Sequence, residues 1–455
     1  MAQVNPVVFR EYDIRGIAGT DLTDETVELV GKALGTMVRA AGGRRVAVGR
    51  DVRLSGPAFH RAAVRGLTST GSDVVDVGVV PTPLVYFAAQ TLAVDGLCMI
   101  TGSHNPPDYN GLKIGVGKTT LYGQAIQDVL RLVQKGEFAT GSGAVTTHDI
   151  VTPYQADVVG NLKPGKRKLK VVVDAGNGTG GIAVPIFERL GWEVVPLFLE
   201  PDGRFPNHHP DPTVEANLTQ LKAKVLEVKA DVGIAYDGDS DRVGAVDELG
   251  QVLWGDQLMI LFSRAILAER PGAAIVGEVK CSFTLYDDIA RHGGHGIMWK
   301  AGHSLIKAKM KEAHAELAGE MSGHIFFAHR WYGFDDGIYS SGRLLELLSR
   351  TDAPMSSLLA DVPKTFSTPE LRVDCPEDKK FELVRRAQEF FKARYQAVTV
   401  DGVRVVFPDG WGLVRASNTQ PILVLRFEAE TPALLAEYQR HVEDVVREVR
   451  AELEA

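Results

Sequence analysis

The chain has 455 residues, of which 45% are hydrophobic and 24% are charged, and its formal net charge is −8. This length exceeds what one hydrophobic core supports, so several domains are expected. Lysines and arginines are interspersed with acidic residues, and no apolar run reaches about 18 residues. These features exclude a nucleic-acid-binding protein with a basic stripe and a membrane-spanning protein.

The N-terminal part of the chain offers a candidate anion-binding residue and a helix. Arg15 precedes Gly16, so its guanidinium stands where backbone crowding is low. A surface ion pair is nevertheless the commoner role of a single arginine. A helix is predicted for residues 23–41, because Thr23 can cap its first turn and Gly42-Gly43 can end it.

A pattern of strand, loop, helix, glycine and strand occurs three times, with first strands predicted at 46–49, 170–174 and 274–278. This pattern is a βαβ unit, which builds sheets with parallel neighbours. Three copies predict three related α/β domains with mixed sheets sandwiched by helices. We place their boundaries at residues 1–149, 150–252 and 253–362.

A turn-rich loop, residues 101–113, follows an apolar strand in the first of these domains and is called the serine loop below. Ser103 at its tip could donate or accept a chemical group, and His104 adds an imidazole. Lys113 could neutralise an anion held beside the serine. A surface turn with local hydrogen bonds fits this segment equally well when it is judged alone.

A glycine-rich turn at residues 174–181 lies between a strand and a helix of the second domain. Phosphate-binding loops occupy such positions. Its spacing matches neither the dinucleotide fingerprint nor the P-loop, so a structural turn is the favoured interpretation.

Three carboxylates alternate with small residues between two apolar runs of the second domain. Asp237, Asp239 and Asp241 would repel one another unless a cation lies among them, and oxygen ligands favour Mg²⁺. Arg242 occupies the glycine position of an EF-hand loop and strands flank the segment, so an EF-hand is excluded. Arg242 more plausibly contacts an anionic ligand. A solvated acidic turn is the alternative to a metal site.

The third domain contains the segment 319–324, which is predicted to be a loop after a helix. Glu320, Ser322 and His324 offer the donors and acceptors that read sugar hydroxyls, and the histidine could carry a proton. A histidine satisfied within its own loop is the alternative. Lys280 and His303 are further candidate contacts.

Residues 363–455 show a different pattern, in which short strands are flanked by two long helices. This pattern predicts an α+β domain. Asp409-Gly410 is a hairpin signal within it. The segment 415–421 could hold a phosphate, since it combines arginine with hydroxyl and amide groups. A polar hairpin is an equal alternative. Its candidate ligand-binding residues are Arg415, Ser417, Asn418 and Thr419.

One chemically equipped loop per domain favours phosphoryl transfer over acyl transfer. The chain has no Gly-x-Ser-x-Gly elbow. Phosphoryl transfer requires charge neutralisation and in-line positioning, which Mg²⁺, Lys113 and Arg242 could supply. The chain shows no signal peptide, and Cys98 and Cys281 lie in apolar surroundings, so a reducing cytoplasm is expected.

Four motifs in this order resemble those of the α-D-phosphohexomutase superfamily over essentially the whole chain. They are Thr101-Gly-Ser-His-Asn-Pro106, Asp237-Gly-Asp-Ser-Asp-Arg242, Gly319-Glu-Met-Ser-Gly-His324 and Arg415-Ala-Ser-Asn-Thr419. Tyr12 with Arg15 matches the N-terminal element of the bacterial phosphomannomutase/phosphoglucomutase branch. Met321 is that family's marker for glucose and mannose phosphates, where phosphoglucosamine mutases typically carry Gln. Ser240 departs from the Gly of many members but leaves the carboxylates in place.

The resemblance implies a mutase that interconverts hexose 1- and 6-phosphates through a phosphoserine and a hexose 1,6-bisphosphate, with a mobile fourth domain. The implied metal ligands for Mg²⁺ are phosphorylated Ser103, Asp237, Asp239 and Asp241. The implied catalytic residues are Ser103, His104, Lys113, Arg15, Arg242 and His324. The implied substrate-binding residues are Tyr12, Lys280, His303, Glu320, Ser322, His324, Arg415, Ser417, Asn418 and Thr419. Lys113 and His324 are the candidate general acid and base.

Two other functions stay open at this stage, namely a phosphoglucosamine mutase and a Mg²⁺-dependent sugar-phosphate-binding protein without turnover. The expected partners are hexose phosphates, and neither nucleic acid nor a membrane is expected. The chain is expected to be a monomer or a dimer.

Overall fold

The computed structural model describes residues 4–417 and 421–454 of the chain. Within these residues the strands form four successive sheets. The sheets follow one another along the chain as the repeat pattern predicts, and helices connect their strands. Among the described residues, no helix combines the length and the apolar character needed to cross a membrane.

The first sheet has the strand order β1-β5-β4-β2-β3-β7, with β6 paired to β5. Its strands are Ile14–Ile17 (β1), Arg45–Arg50 (β2), Asp73–Val79 (β3), Gly96–Ile100 (β4), Tyr109–Val116 (β5), Thr119–Thr120 (β6) and Val145–Thr147 (β7). The accompanying helices are Asp24–Ala40 (α1), Gly56–Ser69 (α2), Thr82–Thr91 (α3) and Gln124–Lys135 (α4). Thr23 caps α1 as predicted, since its hydroxyl accepts a hydrogen bond from the Thr26 amide at 3.2 Å.

The second sheet has the order β12-β11-β10-β8-β9, and the third β14-β13-β15-β16. The helices and strands of the second domain are Val151–Asn161 (α5), Lys170–Asp174 (β8), Ala183–Arg189 (α6), Glu193–Leu197 (β9), Thr219–Val228 (α7), Val232–Tyr236 (β10), Val243–Asp247 (β11) and Val252–Leu253 (β12). Those of the third are Gly255–Glu269 (α8), Ala274–Glu278 (β13), Phe283–Arg291 (α9), His295–Trp299 (β14), His303–Glu312 (α10), Leu317–Gly319 (β15), Ile325–Phe327 (β16) and Gly337–Ser349 (α11). Both sheets mix parallel and antiparallel pairs.

The fourth sheet is antiparallel, with the order β17-β22-β21-β20-β19 and β18 paired to β22. The helices and strands of this domain are Phe366–Ser367 (β17), Leu371–Asp374 (β18), Lys380–Lys392 (α12), Gln396–Val398 (β19), Val403–Phe407 (β20), Gly410–Ala416 (β21), Ile422–Ala429 (β22) and Pro432–Glu454 (α13). This arrangement confirms the predicted α+β fold. Three related α/β units followed by an α+β domain therefore describe the chain.

Two local predictions are wrong. The segment 319–324 does not follow a helix, because the strand β15 intervenes and pairs with β16. The hairpin turn near Asp409 is made by Pro408-Asp409, since Gly410 already pairs with Phe407 as the first residue of β21. Position 410 of β21 has no room for a side chain, because a Cβ there would lie 2.3 Å from the Glu428 carbonyl oxygen.

Part of the hydrophobic core is shared by the first three domains. One cluster contains buried residues of all three, for example Phe87, Phe187 and Leu345. The fourth domain has its own cluster, between its sheet and the helices α12 and α13. A small cluster of Val279, Trp411 and Leu413 joins it to the third domain. The fourth domain thus has a core of its own, and it contacts the third domain through this cluster and through polar contacts such as the one from Arg404 to the Val279 carbonyl oxygen.

Candidate active site

The four chemically equipped loops lie where strands of the sheets end. The serine loop follows β4, and the acidic segment follows β10. Both strands have parallel neighbours in their sheets, and the carboxyl ends of such strands are where α/β proteins bind ligands. The structure brings the two loops into direct contact, because a Cβ on Gly238 would lie 2.6 Å from the Ser103 carbonyl oxygen.

Ser103 is buried at the tip of the serine loop, with only 2% of its surface exposed. Its hydroxyl donates a hydrogen bond to Asp237 Oδ2 at 2.8 Å and lies 3.1 Å from His104 Nδ1. Its φ of +49° places a non-glycine residue in the left-handed region, which the surrounding contacts must stabilise. The hydroxyl therefore faces the acidic segment and not bulk solvent.

Asp237, Asp239 and Asp241 form a compact buried group whose ligand oxygens lie within 4.8 Å of one another. Burial and the charges of the other two carboxylates raise the pKa of Asp237 well above its ordinary value. Asp239 Oδ1 is buried and has no hydrogen-bond partner among the described residues. An all-oxygen donor set with an unsatisfied buried carboxylate oxygen fits a hard divalent cation such as Mg²⁺.

Lys113 lies within the same group. Its Nζ is 2.8 Å from Asp239 Oδ2 and also pairs with Asp241, and only 3% of the side chain is exposed. Burial lowers the pKa of this lysine, but the two carboxylates outweigh burial and raise it well above its ordinary value. The site thus contains a fixed ammonium group close to the Ser103 hydroxyl.

His324 connects the third domain to the acidic group. Its Nδ1 lies 2.7 Å from Glu320 Oε2, and its Nε2 lies 3.1 Å from Asp241 Oδ1. Burial and the Arg242 guanidinium lower the pKa of the ring, but Asp241 and Glu320 outweigh them and raise it to about 9. Ser322 Oγ is 3.4 Å from His324 Nδ1, so all three predicted residues of this loop face one another.

Arg242 and Arg15 contact neighbours of the serine. Arg242 Nε lies 3.3 Å from His324 Nε2 and 3.9 Å from Asp237 Oδ2. Arg15 donates to Asn105 Oδ1 of the serine loop at 2.8 Å. Burial and these two guanidinium groups keep the pKa of the His104 imidazole well below its ordinary value.

The remaining predicted ligand-binding residues lie where the third domain meets the first and the fourth. The Tyr12 hydroxyl donates to the Ala301 carbonyl oxygen at 2.8 Å, and the Tyr12 ring packs edge-on against His303. Lys280 Nζ lies 2.6 Å from Glu370 Oε1. The ammonium group of this lysine is therefore paired with a carboxylate of the fourth domain.

Arg415 is a residue of β21 and not of the loop that follows it. Its Nε donates to Asp401 Oδ2 at 3.0 Å, and the same oxygen accepts from the Ala301 amide at 3.1 Å. Ser417 is buried beside it. Asp401 of the fourth domain thus links Arg415 to the third domain at Ala301. Asn418 and Thr419 lie outside the described residues.

Several residues of the site carry no signal that the sequence analysis used. Thr82, at the start of α3, donates to Asp239 Oδ2 at 2.5 Å. Thr179 of the glycine-rich turn lies 3.0 Å from the Ser240 hydroxyl. The turn at 174–181 therefore contacts and supports the acidic segment. Arg53 donates a hydrogen bond to the Ser103 carbonyl oxygen, and its place in the segment that follows the buried strand β2 was its only available signal.

A buried serine hydroxyl beside three carboxylates that could hold a cation, with fixed basic groups around it, is the arrangement expected of an enzyme that transfers phosphoryl groups. The comparisons with known proteins agree with this class. The chain matches four models of one family, described as Phosphoglucomutase/phosphomannomutase alpha/beta/alpha domain I (residues 6–140), domain II (residues 152–250), domain III (residues 254–366) and C-terminal domain (residues 370–445). The chain belongs to the phosphoglucomutase/phosphomannomutase family and is a hexose phosphate mutase, an isomerase.

Individual relatives match nearly end to end. The phosphomannomutase/phosphoglucomutase of Pseudomonas putida is 49% identical, over 97% of this chain and 94% of that protein. The phosphoglucomutase of Neisseria gonorrhoeae is 46% identical, over 98% of both chains. The crystal structure of a phosphoglucomutase/phosphomannomutase family protein from Burkholderia thailandensis superposes with a TM-score of 0.94 at 45% identity, over 98% of both chains.

Proposed function

We propose that this mutase interconverts the 1- and 6-phosphates of mannose and glucose through a phosphoserine at Ser103 and a hexose 1,6-bisphosphate. The observation that carries the proposal is the Ser103 hydroxyl, which lies 2.8 Å from Asp237 within the buried acidic group. A serine in this position can hold a phosphoryl group where its charge is neutralised. The same serine can then return the group to either end of the sugar.

The proposed reaction has two balanced transfers. In the first, the free hydroxyl of a hexose phosphate attacks the phosphorus on Ser103, the bond from Oγ to phosphorus breaks, and the bisphosphate forms. In the second, Oγ attacks the other phosphate of the bisphosphate, which regenerates phosphoserine and releases the isomeric monophosphate. The hydroxyl proton that leaves in each transfer passes through the proposed general acid and base, Lys113 and His324.

The residues around Ser103 would neutralise the negative charge of the transferring phosphoryl group. Asp237, Asp239 and Asp241 would hold Mg²⁺, which when bound supplies charge neutralisation at the phosphoryl group. Arg15 contacts Asn105 of the serine loop and Arg242 contacts Asp237, so both would stabilise the equatorial oxygens of the transferring group. Their fixed positions spare the reaction the cost of reorganising solvent.

The rest of the substrate is held by the third and fourth domains. Glu320 and Ser322 bind sugar hydroxyls, and Arg415 with Ser417 binds the phosphate that is not transferring. The proposed further contacts are Tyr12, Lys280, His303, Asn418 and Thr419, while His104 supports the serine. The separate core of the fourth domain supports movement of that domain while the bisphosphate reverses its orientation.

A substrate panel on the purified enzyme tests the proposal. We expect turnover of mannose 1-phosphate and glucose 1-phosphate that requires a trace of the 1,6-bisphosphate. We also expect intact-protein mass to show one phosphate, which peptide mapping locates on Ser103. Binding of these ligands without turnover would contradict the proposal and indicate a binding protein, and a preference for glucosamine 6-phosphate would indicate the amino-sugar mutase.

Met321 gives a specific prediction on substrate choice, because it lies between Glu320 and Ser322 in the hydroxyl-reading loop. The variant Met321→Gln introduces an amide that can accept a hydrogen bond from a 2-ammonium group. We expect the ratio of kcat/KM for glucosamine 6-phosphate to that for mannose 1-phosphate to rise about 10-fold, which is the usual worth of one pocket contact. Met37→Gln on α1 is the control, and an unchanged ratio in the loop variant would refute the role of this residue.

A further inference from the structure

Arg53 is a buried arginine in the segment that follows β2, and the proposed function gives it no role. Its side chain is 0% exposed. Its two Nη atoms donate hydrogen bonds to four carbonyl oxygens of the serine loop, those of Ser103 (2.8 Å), Asn105 (2.6 Å), Pro106 (2.5 Å) and Tyr109 (2.8 Å). A single guanidinium therefore holds the loop backbone from the nucleophile to the beginning of β5.

Asp51 holds the preceding part of the loop from the same segment. Its Oδ2 accepts from the Thr101 hydroxyl at 2.8 Å and from the Gly102 amide at 3.3 Å. Its Oδ1 accepts from the Arg53 amide at 2.9 Å, and Arg53 Nε lies 3.3 Å from Oδ2. Asp51 thus accepts hydrogen bonds from the first residues of the loop, and Arg53 donates hydrogen bonds to the carbonyl oxygens of the residues that follow.

The loop is shaped around a planar guanidinium and not around a generic buried side chain. A Cβ on Gly102 would lie 2.5 Å from both Cζ and Nε of Arg53, so this glycine permits the close approach. The Phe205 ring of the second domain lies 5.4 Å from Cζ. Burying a charge is costly unless it is paired and fully hydrogen-bonded, and a lysine cannot donate to four separated carbonyl groups.

The position of the nucleophile depends on this support. Ser103 has a φ of +49°, a conformation that a non-glycine residue keeps only where neighbours impose it. Its carbonyl oxygen is one of the four that Arg53 binds. The hydroxyl of the same residue donates to Asp237 on the opposite side. The contact with Arg53 therefore restrains the backbone that carries the side chain, and the contact with Asp237 sets the direction of the hydroxyl.

We propose that Arg53 is a positioning residue that sets the serine loop so that Ser103 Oγ is aligned for phosphoryl transfer. The inference rests on the proposed role of Ser103 as phosphate carrier. Because a misplacement of about 1 Å can lower a rate about 100-fold, the loss should appear in the transfer step and not in substrate binding. Arg53 itself touches neither the substrate nor the transferring group.

The test compares Arg53→Ala and Arg53→Lys with Arg65→Ala, a control that removes an exposed arginine of α2. We expect kcat to fall about 100-fold in both Arg53 variants while KM for glucose 1-phosphate changes less than about 3-fold. Rates are expressed per Ser103 phosphorylated by glucose 1,6-bisphosphate, which intact-protein mass measures. Unfolded protein then cannot imitate the effect. Arg65→Ala should match the wild type.

Three results would overturn the inference: normalised kcat values near that of the wild type, a KM that rises as much as kcat falls, or full activity of Arg53→Lys. If Arg53→Ala does not fold, as judged by circular dichroism, the lysine variant decides by the same measurements. Wild-type enzyme that turns over substrate without phosphate on Ser103 would refute the proposed function itself. The two failures are therefore distinguishable.

Discussion

Replacing Ser103 by alanine is expected to lower kcat/KM by at least about 10⁴-fold, the usual cost of removing a covalent nucleophile. The hydroxyl is the only group of this residue that can carry a phosphoryl group, and it lies 2.8 Å from Asp237 in the acidic group. The change removes one oxygen from a buried position and introduces no larger atom. Turnover of glucose 1-phosphate in the presence of glucose 1,6-bisphosphate measures the loss.

This experiment needs a matched control and a check for phosphate transfer to the neighbouring His104 imidazole. Ser142→Ala changes an exposed serine of the same domain and should leave the rate unchanged. His104 Nδ1 lies 3.1 Å from Ser103 Oγ and could capture a phosphoryl group in the variant. Such a phosphate would be lost in acid, whereas phosphoserine survives it. An acid-stable phosphate on Ser103→Ala, or turnover close to that of the wild type, would contradict the assignment.

Removing divalent cations is expected to lower kcat by at least about 10³-fold, because the charge that Mg²⁺ neutralises develops in the transition state. The variant Asp239→Asn preserves the shape of the side chain and removes one of the three charges. In the wild type, Asp239 Oδ1 is buried and has no hydrogen-bond partner among the described residues. We expect this variant to bind Mg²⁺ about 100-fold more weakly, since a proposed metal ligand is lost.

Calorimetric titration with Mg²⁺ measures that affinity directly, independently of activity. Asp128→Asn, which alters an exposed carboxylate on α4, is the control. Chelation followed by return of Mg²⁺ should restore the wild-type rate. Full activity in the presence of excess chelator, or unchanged Mg²⁺ affinity in Asp239→Asn, would show that the acidic group serves another purpose.

Local sequence patterns predicted most of the framework of this site. Val232–Tyr236 and Val243–Asp247 read as buried strands, so the position of Asp237 and its neighbours between them followed. The glycine and proline residues after β4 likewise predicted the serine loop. In each case the relevant interactions are local in sequence, which is why the pattern is sufficient. The motif order then identified the family.

Interactions between distant segments were not predictable in the same way. Lys113 and Asp239 are 126 positions apart, and only the contact of two domains makes them an ion pair. Arg53 has no motif, and its four carbonyl acceptors depend on the path of a loop that begins about 50 positions later. The error at residues 319–324 has a related cause, since β15 has three residues and too few side chains to show a period.

The hydrophobic cluster shared by the first three domains limits how single domains of this enzyme can be exchanged by recombination. The repeats in the sequence indicate copies of one ancestral unit, yet Phe87, Phe187 and Leu345 now belong to one cluster. Recombination that exchanged a single copy with a distant homologue would join surfaces that never adapted to each other. The C-terminal domain has a core of its own and meets the third domain through a small apolar cluster and a set of polar contacts. Sequence change within its core is therefore less constrained by the other domains than change within the shared cluster.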